Sequence, residues 1–190
     1  MRMLNLAVAA DVVDTMPPIE GVSDVGLSSL PRIRAIFTAS IAGAPMVRKV
    51  FVQARAGVGL VGDRYAEARG TWSKAERQVT LIGYESIKAG NKKLFDAGLK
   101  PFLWGETRRN IVIDGRAEDL IGKEFWAGDV RMHGVGPADP CNRPGLLCVP
   151  QKKPGFKEHF KGLAGIWAEI LSDGIVRAGD PIDDIVWRAH

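Results

Sequence analysis

Cys141 lies in the run Asp139-Pro140-Cys141-Asn142-Arg143-Pro144, just after an apolar stretch, Val130 to Val135, that reads as a strand. Two prolines remove amide donors and stiffen the backbone, so the run is expected to be a loop. A cysteine on a stiff loop at a strand end can aim its sulfur into a cavity. A reactive thiolate or a soft metal ligand needs that placement. The competing reading is a small buried hydrophobe, the usual fate of a free cysteine. Arg143 favours the thiolate and Asp139 opposes it.

Two other stretches hold residues with chemical potential. Glu106-Thr107-Arg108-Arg109-Asn110 stands immediately before a predicted strand. Its two guanidiniums suit a phosphate or carboxylate held in bidentate fashion, and Asn110 can fix a loop or orient a heterocycle. A salt-bridged strand start is the structural alternative. Gly59 to Tyr65, G-L-V-G-D-R-Y, places Gly62, Asp63 and Arg64 on a turn. Such a turn can cradle an anion through its amides, although local chemistry alone favours a structural turn. It fits neither the P-loop nor the dinucleotide-binding pattern, and no G-x-S-x-G occurs.

The remaining thiol and imidazoles read as structural. Cys148 has apolar neighbours, Leu146, Leu147 and Val149, and is expected in the core. His133 falls within a predicted strand, and His159 sits among Lys157, Glu158 and Lys161 as a surface residue. The C-x6-C spacing is not that of a zinc site, and two cysteines make no disulfide scaffold. Reduced thiols and a cytoplasmic location are the expectation.

The elements that must position these residues belong to one ordinary globular chain. It has 190 residues, 46% hydrophobic and 25% charged, with 22 glycines and 11 prolines. The formal net charge of +4 is too weak and too evenly spread to argue for nucleic acid, but it suits a small anion. No apolar run approaches the roughly 20 residues of a membrane span. Residues 1–30 read as an N-terminal extension and 31–190 as a single domain. Strands are expected at Ile33–Thr38, Val47–Val52, Gln78–Ile82, Arg109–Asp114, Val130–Val135, Ile166–Leu171 and Ile175–Arg177, with a helix still open for the run at 166. Tyr84 to Ala97 is the best helix, stopped by Gly98 and weakened by Gly90. Gly-Asp pairs at 62–63, 128–129 and 179–180, and Ser172-Asp173-Gly174, mark turns. Many short strands with frequent turns predict a mainly β fold, a distorted antiparallel β-barrel with one or two peripheral helices.

Taken in order, several pieces resemble a MOSC domain, the module named for the C-terminal domain of molybdenum-cofactor sulfurase. They are A-G-V-G-L-V-G-D-R-Y, R-Q-V-T-L-I, E-T-R-R-N-I-V-I-D-G, L-I-G-K-E-F-W-A-G-D-V-R-M-H-G-V, the D-P-C loop and G-I-W-A-E-I-L-S-D-G-I-V-R-A-G-D-P-I. The resemblance implies a distorted β-barrel and makes Cys141 the family's loop cysteine. In that family the cysteine is linked to sulfur transfer or serves as the molybdenum ligand in reductases of N-hydroxylated compounds. It further implies that Gly62, Asp63, Arg64, Arg108, Arg109 and Asn110 shape a pocket for molybdenum cofactor (molybdopterin), with arginines on its phosphate. Gly162-Leu163-Ala164-Gly165 carries leucine where relatives often carry arginine. No pyridoxal-phosphate site is expected, so sulfur would come from a cysteine desulfurase-type donor. No iron–sulfur or flavin motif is present, so a reductase would need a separate electron donor. Neither nucleic acid nor membrane is an expected partner.

Overall fold

The computed structural model describes residues 30–70 and 74–184. The expected N-terminal extension therefore lies outside the described residues, apart from Leu30. Eleven strands are described: β1 (Ile33–Thr38), β2 (Val47–Lys49), β3 (Phe51–Arg55), β4 (Gly59–Leu60), β5 (Val79–Gly83), β6 (Ile111–Ile113), β7 (Glu124–Ala127), β8 (Val130–Pro137), β9 (Ile166–Ile170), β10 (Gly174–Arg177) and β11 (Ile182–Asp184). Three helices accompany them: α1 (Tyr84–Asp96), α2 (Arg143–Leu146) and α3 (Phe156–His159). The segment at 166 is a strand, which settles the helix alternative.

One sheet has eight strands in the order β11-β7-β8-β9-β5-β6-β1-β2. It curls until the chain before β1 meets the chain before β11. Arg32 bridges Pro181, and Ile33 N–H donates to Asp180 C=O at 2.8 Å. A second sheet, β10-β3-β4, sits across this distorted barrel and contributes Val52, Ala54, Leu60 and Val176 to the same core. The segment expected as one strand over Val47–Val52 is divided at Val50. β2 pairs with β1 in the large sheet, and β3 pairs with β10 in the small one. Pairing between these strands is antiparallel except between β5 and β6, which run parallel; a single parallel bridge also joins Ile121 to Gly134 of β8. Parallel neighbours need a crossover, and α1 lies in it.

Alternation sorts the side chains. Ile33, Ile36, Leu81, Ile111 and Ile113 point into the barrel. Ala35, Phe37, Ile82 and Val112 point outward, where Ile87 and Leu94 of α1 and Phe102, Phe156 and Phe160 cover them. Gly90 has a packing reason to interrupt α1. A Cβ there would meet the Phe160 ring at 2.6–2.7 Å. That ring is fully buried and stacked on Phe156 at 4.2 Å, so it has little room to yield. Gly90→Ala is therefore expected to destabilise by about 1–2 kcal/mol. Overpacking of about 1–3 kcal/mol outweighs the ~1 kcal/mol gain in helix propensity. A rise in the urea midpoint would show that the ring can move.

Candidate functional site

The end of β1, the turn after β4, the start of β6 and the loop after β8 converge beside one another. Asp63 ties them together. It is fully buried, and its Oδ2 accepts from Ala39 N–H at 2.9 Å, Asn110 Nδ2 at 3.0 Å and Arg64 Nη1 at 3.2 Å. Its Oδ1 accepts from Tyr65 N–H at 3.1 Å. Asn110 is equally engaged. Its Oδ1 accepts from Thr80 N–H and Oγ1, and its Nδ2 also donates to Phe37 C=O at 3.1 Å. Asp63 and Asn110 thus lock β1, β5, β6 and the turn into one frame.

Gly62 occupies an exposed turn with φ +79°, which only glycine adopts without strain. The Asp63, Arg64 and Tyr65 amides are occupied by Leu60 C=O, Ala39 C=O and Asp63 Oδ1, respectively. They are not an open anion cradle. The turn acts by aiming side chains.

Arg64, Arg108, Arg109 and Cys141 line one small cavity of about 40 Å³, with Tyr65, Arg143, Pro144, Ala42 and Gly43. Arg108 stands in the left-handed region at φ 61°, which turns Arg108 and Arg109 in different directions. Arg64 donates to Arg108 C=O at 3.3 Å, and its guanidinium lies 4.5 Å from the Tyr65 ring centre. Arg108 donates to Ala44 C=O at 2.8 Å. Arg109 donates to Ala164 C=O at 2.6 Å and Ala138 C=O at 2.9 Å. These acceptors are neutral backbone carbonyls; of the nearby carboxylates, Asp63 is committed to Arg64, and Asp139 acts on Arg109 through its charge. Burial, then the like charge of Arg64, pulls the Arg108 pKa down to about 10. Burial likewise lowers that of Arg109. Four arginines line the cavity, and Asp63 and Asp139 offset them only in part, a costly arrangement that a bound anion would relieve.

A larger cleft of about 550 Å³ adjoins this cavity and shares Arg108 and Pro144 with it. Phe37, Met46, Leu103, Trp104 and Leu147 give it apolar walls, and Arg34 and Arg48 add charge. Its size falls within the usual range for small-molecule sites. Among the described residues, no group of three or more His, Cys, Asp or Glu side chains could hold a metal ion. A metal at Cys141 would have to bring most of its ligands with it, which suits a pterin dithiolene.

Sequence reasoning brought Arg64, Arg108, Arg109 and Cys141 to one place. It did not single out Tyr65 or Arg143 as cavity-lining residues, although each adjoins a named one. Glu106, next in the run to the paired arginines, is engaged elsewhere: it pairs with Lys153 at 2.6 Å. His159 is half-buried rather than solvated, with Nδ1 against Gly155 C=O at 2.9 Å. Leu163 packs against the outer core, while the adjacent Ala164 carbonyl receives Arg109.

The two cysteines differ in solvent exposure as expected, although Cys148 also lines the larger cleft. Cys141 is partly exposed and Cys148 is 6% exposed, with its sulfur donating to Pro144 C=O at 3.4 Å. Burial first, then the Glu106 carboxylate, pushes the Cys148 thiol up to about 11. Iodoacetamide at pH 8 is therefore expected to modify Cys141 well before Cys148. Peptide mass mapping reads the order, and preferential modification of Cys148 would reverse the assignment.

No match is found among curated proteins. Solved structures resemble the fold. The YuaD protein from Bacillus subtilis has a TM-score of 0.64 at 20% identity, covering 80% of this chain and 93% of that one. YiiM from Geobacillus stearothermophilus gives 0.59 at 16%, covering 82% and 75%. YiiM from Escherichia coli gives 0.52 at 17%, covering 84% and 72%. No helix among the described residues is long and apolar enough to cross a membrane. The MOSC domain model matches residues 48–183, a span that holds the Asp63 turn, the paired arginines and the Cys141 loop, and the chain belongs to the MOSC domain family, which is linked in general to molybdenum-cofactor binding and sulfur-related function.

Proposed function

We propose that the protein binds molybdenum cofactor, with the Cys141 thiolate on the metal and Arg64, Arg108 and Arg109 on the phosphate, as a reductase of N-hydroxylated compounds. The observation that supports this reading is the convergence of three motifs on one cavity, where a partly exposed thiol shares the lining with Arg64, which is paired with Asp63, and with Arg108 and Arg109, whose hydrogen bonds go to backbone carbonyls. The adjoining aromatic cleft offers room for a fused ring system. When bound, the group supplies the two-electron redox chemistry that removes a hydroxyl oxygen from nitrogen. The chain's own residues hold the phosphate, present the thiolate and exclude bulk water from the arginines. Electrons come from a separate donor protein.

Metal and pterin content of protein from a cofactor-competent host tests this. Stoichiometric molybdenum is expected in the wild type, and none in Cys141→Ser. Oxygen for sulfur changes volume little but replaces a soft ligand with a hard one. Because Cys141 is partly exposed, the melting temperature should barely move. A large loss of stability would mark a structural cysteine, and unchanged molybdenum would remove the ligand role.

The same exposure favours a second reading, a non-catalytic sulfur carrier loaded by a cysteine desulfurase-type donor. Persulfide on Cys141 without metal selects it. Absence of both metal and persulfide would overturn both readings.

A further inference from the structure

Arg143 is the fourth guanidinium of the Cys141 cavity, and it differs from the other three. Arg64, Arg108 and Arg109 are buried and tied to backbone or to Asp63. Arg143 is exposed and makes no side-chain hydrogen bond or ion pair among the described residues. It still belongs electrostatically to the cavity, because its charge is one of those acting on Arg108.

Its backbone is fixed while its side chain is free. Arg143 opens the single turn α2, two residues after Cys141. Pro144 follows it and is buried. Gly145 lies so close beneath Lys153 C=O that an added Cβ would stand 1.8 Å from that oxygen. Lys153 N–H returns a bond to Gly145 C=O at 3.0 Å. The turn is thus pinned to the 153 strap, and Arg143 can move only through its own torsions. A guanidinium has five N–H donors in a planar fork, matched to two oxygens of a tetrahedral anion. The three buried arginines have spent part of their forks on carbonyls. Arg143 has spent none.

We infer that Arg143 is the closing arm of a phosphate-type dianion site: the anion enters over Cys141, rests on Arg108 and Arg109, and is clasped by Arg143, which covers the thiol while the anion stays. The inference rests on reading this cavity as a phosphate site, and it does not require that a metal bind there. A phosphate monoester group and inorganic phosphate share the chemistry. Lysine at 143 would keep the charge but lose the fork, so it should serve only partly.

The test uses the full chain made in a host that cannot build molybdenum cofactor. Iodoacetamide alkylates Cys141: sulfur displaces iodide and one C–S bond forms. The reagent is neutral, so its approach is insensitive to the arginines' charge. Rates are read at fixed pH and ionic strength, with inorganic phosphate replacing chloride. Phosphate should slow wild-type alkylation saturably. Arg143→Ala should weaken that protection about tenfold, in line with removal of a charge-assisted pair, and Arg143→Lys should fall between. Circular-dichroism melting of all three proteins should coincide, since the side chain is exposed and unbonded. Equal protection in wild type and Arg143→Ala would overturn the arm and leave the fixed arginines as the whole site. Absence of phosphate protection in the wild type would also overturn it. Molybdenum content of wild type from a competent host, measured separately, tells whether the cofactor reading falls too.

Discussion

Asp63→Ala is expected to destabilise the fold by about 3–5 kcal/mol, the range for removing one partner of a buried charge pair. Four donors lose their acceptor at once: the amides of Ala39 and Tyr65, the Asn110 side chain and the Arg64 guanidinium. Asn110 keeps its bond to Phe37 C=O, and Arg64 keeps Arg108 C=O, but among the described residues no other acid is hydrogen-bonded to Arg64. The cavity would then hold a further uncompensated cation. Asp63→Asn should be milder, about 2–3 kcal/mol, because the amide keeps one acceptor oxygen but turns an N–H towards a donor and drops the charge. Urea unfolding of both variants measures the difference. A loss under about 1 kcal/mol for Asp63→Ala would mean that water replaces the carboxylate, and the frame described for this site would fail.

The role of Asp63 shows where sequence reasoning stops. Most strands were legible because runs of β-branched and apolar residues bounded by turn signals are local, but β4, β7 and β11 were not expected. β1 has the bounds expected of it, and β9 and β10 differ by a residue at one end. The parallel pairing of β5 and β6 was not legible, since strand order depends on contacts far apart in sequence. Nor was the break at Val50, where one apolar run serves two sheets. At the site, the family resemblance grouped Arg64, Arg108, Arg109 and Cys141, which the fold brings to one cavity. It also had Asp63 and Asn110 shape the pocket, and in the fold they hydrogen-bond each other across 47 residues, holding the frame beside the cavity. Side chains of one type can bind a ligand or bind the frame, and only the partners decide. Tyr65 and Arg143 had a usable signal, being next to Arg64 and two residues from Cys141, but sequence adjacency does not reveal which side of a loop faces a cavity.

Arg109→Met is expected to separate stability from function. Arg109 is buried, and its two side-chain hydrogen bonds go to the Ala138 and Ala164 carbonyls. Burial lowers its pKa, so the fold disfavours its charged form relative to the unfolded chain. That penalty applies at every pH at which the side chain is charged in both states, neutral pH included, and methionine removes it. Against the gain stand two carbonyls left without their donor, at about 1 kcal/mol or more each. The opposing effects should leave the ligand-free protein within about 1–2 kcal/mol of wild type, as when buried charges are replaced by apolar residues of similar volume. Anion retention should fall much further, roughly tenfold or more, because each charge-assisted hydrogen bond to the anion is worth about 1–3 kcal/mol. Arg109→Lys should recover only part, because an ammonium cannot serve two carbonyls and a phosphate through one planar fork. Thermal melting with and without phosphate reads both quantities in one series. Wild type should show a phosphate-dependent rise in melting temperature, and Arg109→Met should show almost none. A methionine variant that is severely destabilised yet still rises with phosphate would assign Arg109 to the frame, beside Asp63 and Asn110, and take it out of the anion site.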